Sequence, residues 1–233
     1  DSALTLDAAK IAEIERHFAP PTYEDIAEPV APYDAARFTD PAFAAWTRTN
    51  LFPHKQPGYS IVTVSLKPAG GVPGDATAEQ MEALADLAEK YSLGELRIAH
   101  EQNVVLPYVR KQDLHTLWQA LGEHGLADAN IGLITDIISC PGLDYCNLAN
   151  ARAIPIAQRL SRHFSDPALQ SEIGPITLNI SGCINACGHH HVGNIGILGV
   201  DKKGVEHYQI TIGGIADENA AIGKILGPSF PAE

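Results

Sequence analysis

The chain has 233 residues, 45% of them apolar and 19% charged, an ordinary globular make-up with room for one large core or two small ones. Its formal net charge is −12, with neither a basic stripe nor a block of like charge, which argues against a nucleic-acid binder. No run of about 18 apolar residues is present, so no membrane-spanning helix is expected.

The opening DSALTLDAAK has neither the basic start nor the apolar stretch of an export signal, so a cytoplasmic setting is expected. It also lacks a starting methionine, as a trimmed chain or a piece of a longer one would. Residues 5–18 read as a helix with Leu6, Ile11, Ile14 and Phe18 near one face. Seven prolines then punctuate residues 19–57, which read as an irregular arm with short helical pieces at most. YSIVTVSLK (59–67) alternates as a strand, with Val62, Val64 and Leu66 on one face. Thr77 and Gln80 have capping-box spacing, and the helix they open carries Met81, Leu84, Ala88 and Tyr91 at helical intervals. ELRIA (95–99) and NVVLPYV (103–109) follow as strands. Asp113 is placed to cap a second helix bearing Leu114, Leu117, Trp118 and Leu121, and LITDIIS (133–139) reads as a fourth strand. This order is β-α-β-β-α-β, the ferredoxin-like split unit. Met81 and Trp118 are read as core residues.

After Cys146, NLANARAIPIAQRLSRHF looks helical, with Pro155 marking a kink or a late start. ITLNIS (176–181) is a strand, and NIGILGV (194–200) with VEHYQITIGG (205–214) reads as a hairpin joined through DKKG. The fold class is therefore α+β, a split β-α-β-β-α-β lobe followed by an α/β lobe. The expected division is 1–50 as a linker arm, 51–130 as the ferredoxin-like half-domain and 131–233 as the second domain.

The four cysteines fall in two pairs, Cys140 with Cys146 and Cys183 with Cys187, each directly after a strand. Four thiolates could thus converge. The C-x5-C and C-x3-C spacings match neither the usual ferredoxin runs nor the C-x2-C zinc knuckle. In a helical turn residues four apart stand about 6 Å apart with parallel side chains, which suits two corners of a cluster better than a disulfide. An iron–sulfur cluster, a zinc site and an inert or disulfide-bonded set all remain open on spacing alone. His189, His190 and His191 follow; three successive residues cannot face one way, so at least one is a surface residue, while another could bind zinc or an anion.

CPGLDYC, SGCINAC and the downstream IGILG…YQITIGG resemble the C-terminal half of the sulfite and nitrite reductase hemoprotein family. LRIAHEQNVVLPYV resembles its cofactor-side strand pair, and the likeness covers roughly residues 50–214. The resemblance implies that Cys140, Cys146, Cys183 and Cys187 hold a 4Fe–4S cluster. It also implies that Cys187 bridges to a siroheme iron and that Arg97, Gln102, Asn103 and Asn185 lie on the cofactor side. The second lobe is then the cluster- and siroheme-binding one. The implied activity is the six-electron reduction of sulfite to sulfide, with nitrite to ammonia as the alternative. The implied partners are the small anion, an electron donor (ferredoxin or a flavoprotein) and an N-terminal half or partner chain supplying Arg and Lys. His189, His190 and His191 depart from the Arg or Gln often found after the second pair; His189 is assigned a carboxylate or oxyanion contact. An electron-transfer module without turnover and a structural zinc protein are the readings from other classes.

Overall fold

The computed structural model describes residues 5–232 as two sheets, each with its own core. Helix α1 (Ala8–Arg16) starts where Asp7 accepts the Lys10 N–H at 2.7 Å. Its apolar positions do recur, but Leu6, Ile11, Ile14 and Phe18 all face solvent. The proline-rich stretch is more ordered than the sequence suggests. It contains α2 (Ala31–Thr39), and then α3 (Pro41–Asn50), capped by the Asp40 carboxylate on the Ala42 and Phe43 N–H groups. Phe43 and Trp46 of α3 are fully buried in the first core, so this part of the expected arm is core structure. Aromatic residues hidden among prolines carry no periodic signal over so short a helix.

The first sheet runs β1 (Leu51–Pro53), β2 (Tyr59–Val64), β4 (Val104–Arg110), β3 (Arg97–Ile98), all antiparallel. Helices α4 (Ala78–Tyr91) and α5 (Leu114–Glu123) bury Leu84, Leu87, Tyr91, Leu114, Leu117 and Leu121 against Val62, Val64, Leu106 and Val109. The Thr77–Gln80 capping box forms in full. Three details differ from the sequence reading. Met81, in the first turn of α4 at the edge of the 84/87/88/91 stripe, is 57% exposed, whereas Trp118 packs partly buried against the core. Asp113 stands at the start of α5 but turns its carboxylate to Arg110 Nε at 2.6 Å instead of capping. The segment read as the fourth strand contributes only Ile138–Ser139, here β5, and this pairs in the second sheet. The place beside β2 is taken by β1, which the proline-rich reading concealed.

The second sheet has the order β10 (Phe230–Pro231), β8 (Val205–Ile212), β7 (Ile195–Lys202), β6 (Leu178–Ser181), β5, with β9 (Lys224–Ile225) also on β8. β5–β6 and β6–β7 are parallel, and β7–β8 is the expected hairpin. Its tip has positive φ at Lys203 and Gly204, the pair a type I′ turn requires. Between β5 and β6 lie α6 (Ile154–His163), which begins late with Pro155 in its first turn, and α7 (Pro167–Ile173). Among the described residues no helix is long and apolar enough to cross a membrane.

The lobes are joined by buried polar contacts. Lys67 Nζ lies 2.6 Å from Asp136 Oδ1 and also donates to the Glu101 carbonyl. Asn103 donates to the same Asp136 oxygen at 3.0 Å, and Gly132 N–H to the other at 2.9 Å. Burial pushes the Lys67 ammonium below its ordinary value, and the facing Asp136 opposes that shift.

Trp46→Ala is expected to cost about 3–5 kcal/mol in urea melts, the range for emptying an aromatic core site. Met81→Ala should stay within about 0.5 kcal/mol.

Candidate functional site

Parallel strands need crossover connections, and here the two connections carry the cysteines. Cys140 follows β5 directly, and Cys183 follows β6 by one residue. Ser139 lies beside Ile180 in the ladder, so both pairs leave from the same, C-terminal, edge of the sheet. In open α/β sheets that edge is where ligands bind.

The two loops touch through glycines. Gly182 N–H donates to Cys140 Sγ at 3.0 Å. The Gly182 carbonyl accepts from Asn150 at 2.8 Å and Ala151 at 3.0 Å. A Cβ on Gly182 would stand 2.6 Å from the Ala151 carbonyl oxygen and 2.8 Å from Gly142 Cα. Gly142 has φ +59°, and a Cβ there would lie 2.5 Å from Ala153 N. Gly188 donates to Ser181 Oγ at 3.1 Å and accepts from Asn179 Nδ2 at 2.9 Å. A side chain on it would fall 1.9 Å from the Ile180 carbonyl oxygen. Ala186 and His189 flank this turn in the left-handed region, at φ +57° and +54°.

All four cysteines are free; Cys140 and Cys183 are buried, Cys146 is half-buried and Cys187 is exposed. Among the described residues no three His, Cys, Asp or Glu side chains are gathered to hold one metal ion. A 4Fe–4S cube takes one thiolate per iron. Four free thiols in two pairs on touching loops match that demand in chemistry and number. Leu143, Tyr145, Leu148 and Ile184 on the same loops are exposed, an apolar rim around the cysteines.

The other expected site residues divide. Asn185 and His189 lie exposed on the second cysteine loop, while His190 beside them is buried. Arg97 is exposed on β3 and bonded to Glu95 Oε1 at 2.7 Å and Tyr108 OH at 2.9 Å. Gln102 and Asn103 spend their amides inside the protein. Gln102 bonds the Ser139 backbone twice, and Asn103 bridges the Leu66 N–H and Asp136. Lys67 and Asp136 were not singled out from the sequence; a lone lysine at a strand end gives no sign of burial.

A family model described as the nitrite/sulfite reductase ferredoxin-like half domain matches residues 53–124. The chain belongs to the sulfite and nitrite reductase hemoprotein family. It is 31% identical over 202 residues to a chloroplastic ferredoxin–nitrite reductase of Zea mays, covering 81% of this chain and 34% of that protein. To a ferredoxin–nitrite reductase of Synechococcus elongatus it is 32% identical over 195 residues, covering 79% of this chain and 36% of the relative. The chain thus spans about a third of the length of these curated relatives. Its fold superposes on the NirA protein of Mycobacterium tuberculosis with a TM-score of 0.63 at 23% identity, over 96% of this chain and 40% of that one. The matched half domain takes in β2, β3 and β4 with α4 and α5, and only the last residue of β1; the cysteines lie outside the match.

Gly188→Ala is expected to cost at least about 2 kcal/mol, because the new methyl meets a backbone oxygen. Gly122→Ala in α5, where the nearest atom is 3.9 Å away, should be neutral or gain up to about 1 kcal/mol; thermal melts of both variants check the pair. Burial, and then the neighbouring His191, push the His190 imidazole below its usual 6.5. The unfolded chain then binds a proton the folded chain resists, so stability falls as pH drops below 6.5 until the lowered value is passed. Urea melts of metal-free protein at about pH 7.5 and about pH 5.5 should show a smaller acid loss for His190→Gln.

Proposed function

We propose that the chain is the cluster-bearing C-terminal part of a siroheme-dependent reductase that adds six electrons to sulfite or nitrite. The observation that carries this reading is the junction of the two cysteine loops, with Cys140 Sγ accepting the Gly182 N–H at 3.0 Å. Cys140, Cys146, Cys183 and Cys187 would hold the 4Fe–4S cluster, with Cys187, the most exposed, shared with the siroheme iron. Bound together, cluster and siroheme supply one-electron steps to an iron that holds the anion. The chain's own contribution is to orient and tune. Gly182 N–H is a donor toward a ligand sulfur, and a hydrogen bond to that sulfur would raise the potential of the cluster it holds. The apolar rim of Leu143, Tyr145, Leu148 and Ile184 suits a macrocycle face or further polypeptide and would exclude water once covered.

Anion-holding cations are assigned to an N-terminal half or a partner chain. Arg152, the cation nearest the first cysteine loop in sequence, is paired with Asp144 at 3.2 Å and Glu206 at 2.7 Å. That pairing also supports the second reading, a cofactor-carrying, electron-transferring module that does not turn over alone. Sulfite was the first expectation from the sequence. The family description names both anions, and the two relatives quoted are nitrite reductases that use ferredoxin. The proposal therefore stands at the level of these two oxyanions, with ferredoxin as the donor.

Anaerobic reconstitution with iron and sulfide should give about four irons per chain and a broad visible absorption. Cys187→Ser should lower the iron content and abolish siroheme-to-cluster coupling seen by EPR. Iron and spectrum unchanged in Cys187→Ser would overturn its assignment, and failure of the parent chain to bind iron would overturn the cluster.

A further inference from the structure

We propose that Gln102 is a positioning residue for Cys140, so that the ferredoxin-like lobe sets where the first cysteine loop leaves the second sheet. β5 is only two residues long and is the edge strand of its sheet, paired on one side with β6. On that side Cys140 N–H bonds the Ile180 carbonyl at 3.1 Å. Its other side carries the Ser139 N–H and carbonyl, which alternate away from β6. Gln102 meets both. Its Nε2 donates to Ser139 O at 2.8 Å, and its Oε1 accepts from Ser139 N at 3.0 Å. A carboxamide has the donor and acceptor of a peptide unit, so Gln102 acts as a one-residue strand closing the sheet edge.

The geometry behind Gln102 is built for this reach. Gln102 itself has φ +61°, held in a turn by its N–H to the Ala99 carbonyl at 3.0 Å and by Ala99 N–H to the Asn103 carbonyl at 2.9 Å. A Cβ on Gly74 would lie 2.8 Å from Gln102 Cβ, so the glycine leaves the room the turn needs. The next residue, Asn103, grips Asp136, which Lys67 also holds. Two successive side chains of one lobe thus fasten two points, Asp136 and Ser139, on the segment that delivers Cys140. Gln102 has no need to touch a cofactor to matter for one.

The inference rests on Cys140 being a cluster ligand only for its purpose; the positioning itself is measurable without metal. In metal-free protein, Gln102→Asn keeps a residue that tolerates positive φ but shortens the amide by one methylene. Site-resolved alkylation by N-ethylmaleimide, read by peptide mass mapping, should show Cys140 labelled roughly tenfold faster, the scale of losing two partly buried hydrogen bonds. Cys183, in the loop just after the interior strand β6, should keep its rate. Equal acceleration of both thiols, or none at Cys140, would overturn the proposal. Hydrogen exchange of the parent protein is an independent check that needs no variant. The Ser139 amide should be protected as strongly as the β6 amides, and free exchange there would overturn the proposal. If parent protein binds no iron while Gln102→Asn still exposes Cys140, the cluster assignment fails and the positioning role stands.

Discussion

A single glycine residue holds the site together. Gly182 gives its N–H to Cys140 Sγ and takes two N–H groups, from Asn150 and Ala151, on its carbonyl. It can do so only because it lacks a side chain: a Cβ would collide with the Ala151 carbonyl and with Gly142 Cα. Remove that contact and the first cysteine loop has no fixed relation to the second. The rest of the second lobe serves the same end. Gly199 lies under Ala151 and against the Gly182 carbonyl, and Gly196 lies under the His190 carbonyl, so β7 is the floor on which both loops rest.

The ferredoxin-like lobe enters this arrangement from the side. Its buried Lys67–Asp136 pair is weak evidence of stability, because desolvating two charges offsets most of their attraction. What the pair supplies is specificity of placement. An unpaired Asp136 or Lys67 would be a buried charge costing several kcal/mol, so the lobes have one favourable docking. Asn103 and Gly132 complete the coordination of the carboxylate, as a satisfied buried network requires. In this chain the half domain and the cysteine-bearing sheet are thus joined by hydrogen bonds along the segment that carries the first cysteine.

Much of this was legible in the chain. The period-two run at 59–67, the Thr77–Gln80 box, the proline in the first turn of α6 and the hairpin tip at Lys203–Gly204 are local signals, and each follows from nearest-neighbour sterics or hydrogen bonding. Local rules failed where long-range packing won. α3 hides Phe43 and Trp46 in a proline-rich stretch, β1 takes the place foreseen for 133–139, and Met81 sits at helical spacing yet points outward. Asp113 has the right residue type at a helix start, but Arg110 three residues away offers a charged partner and takes the carboxylate.

The sequence by itself determined the candidate donors: four cysteines in two pairs, each after a strand, with glycines beside them. Residue type and order are enough for that, since a thiol side chain and glycine's lack of one are properties of the residues. Only the tertiary structure decided which strands are neighbours, and therefore that Cys140 meets Gly182 and that Gln102 closes the edge of β5. Those contacts join positions 42 and 37 residues apart. No local preference encodes them; they exist because parallel pairing aligns two strand ends and a buried charge pair fixes the lobe beside them.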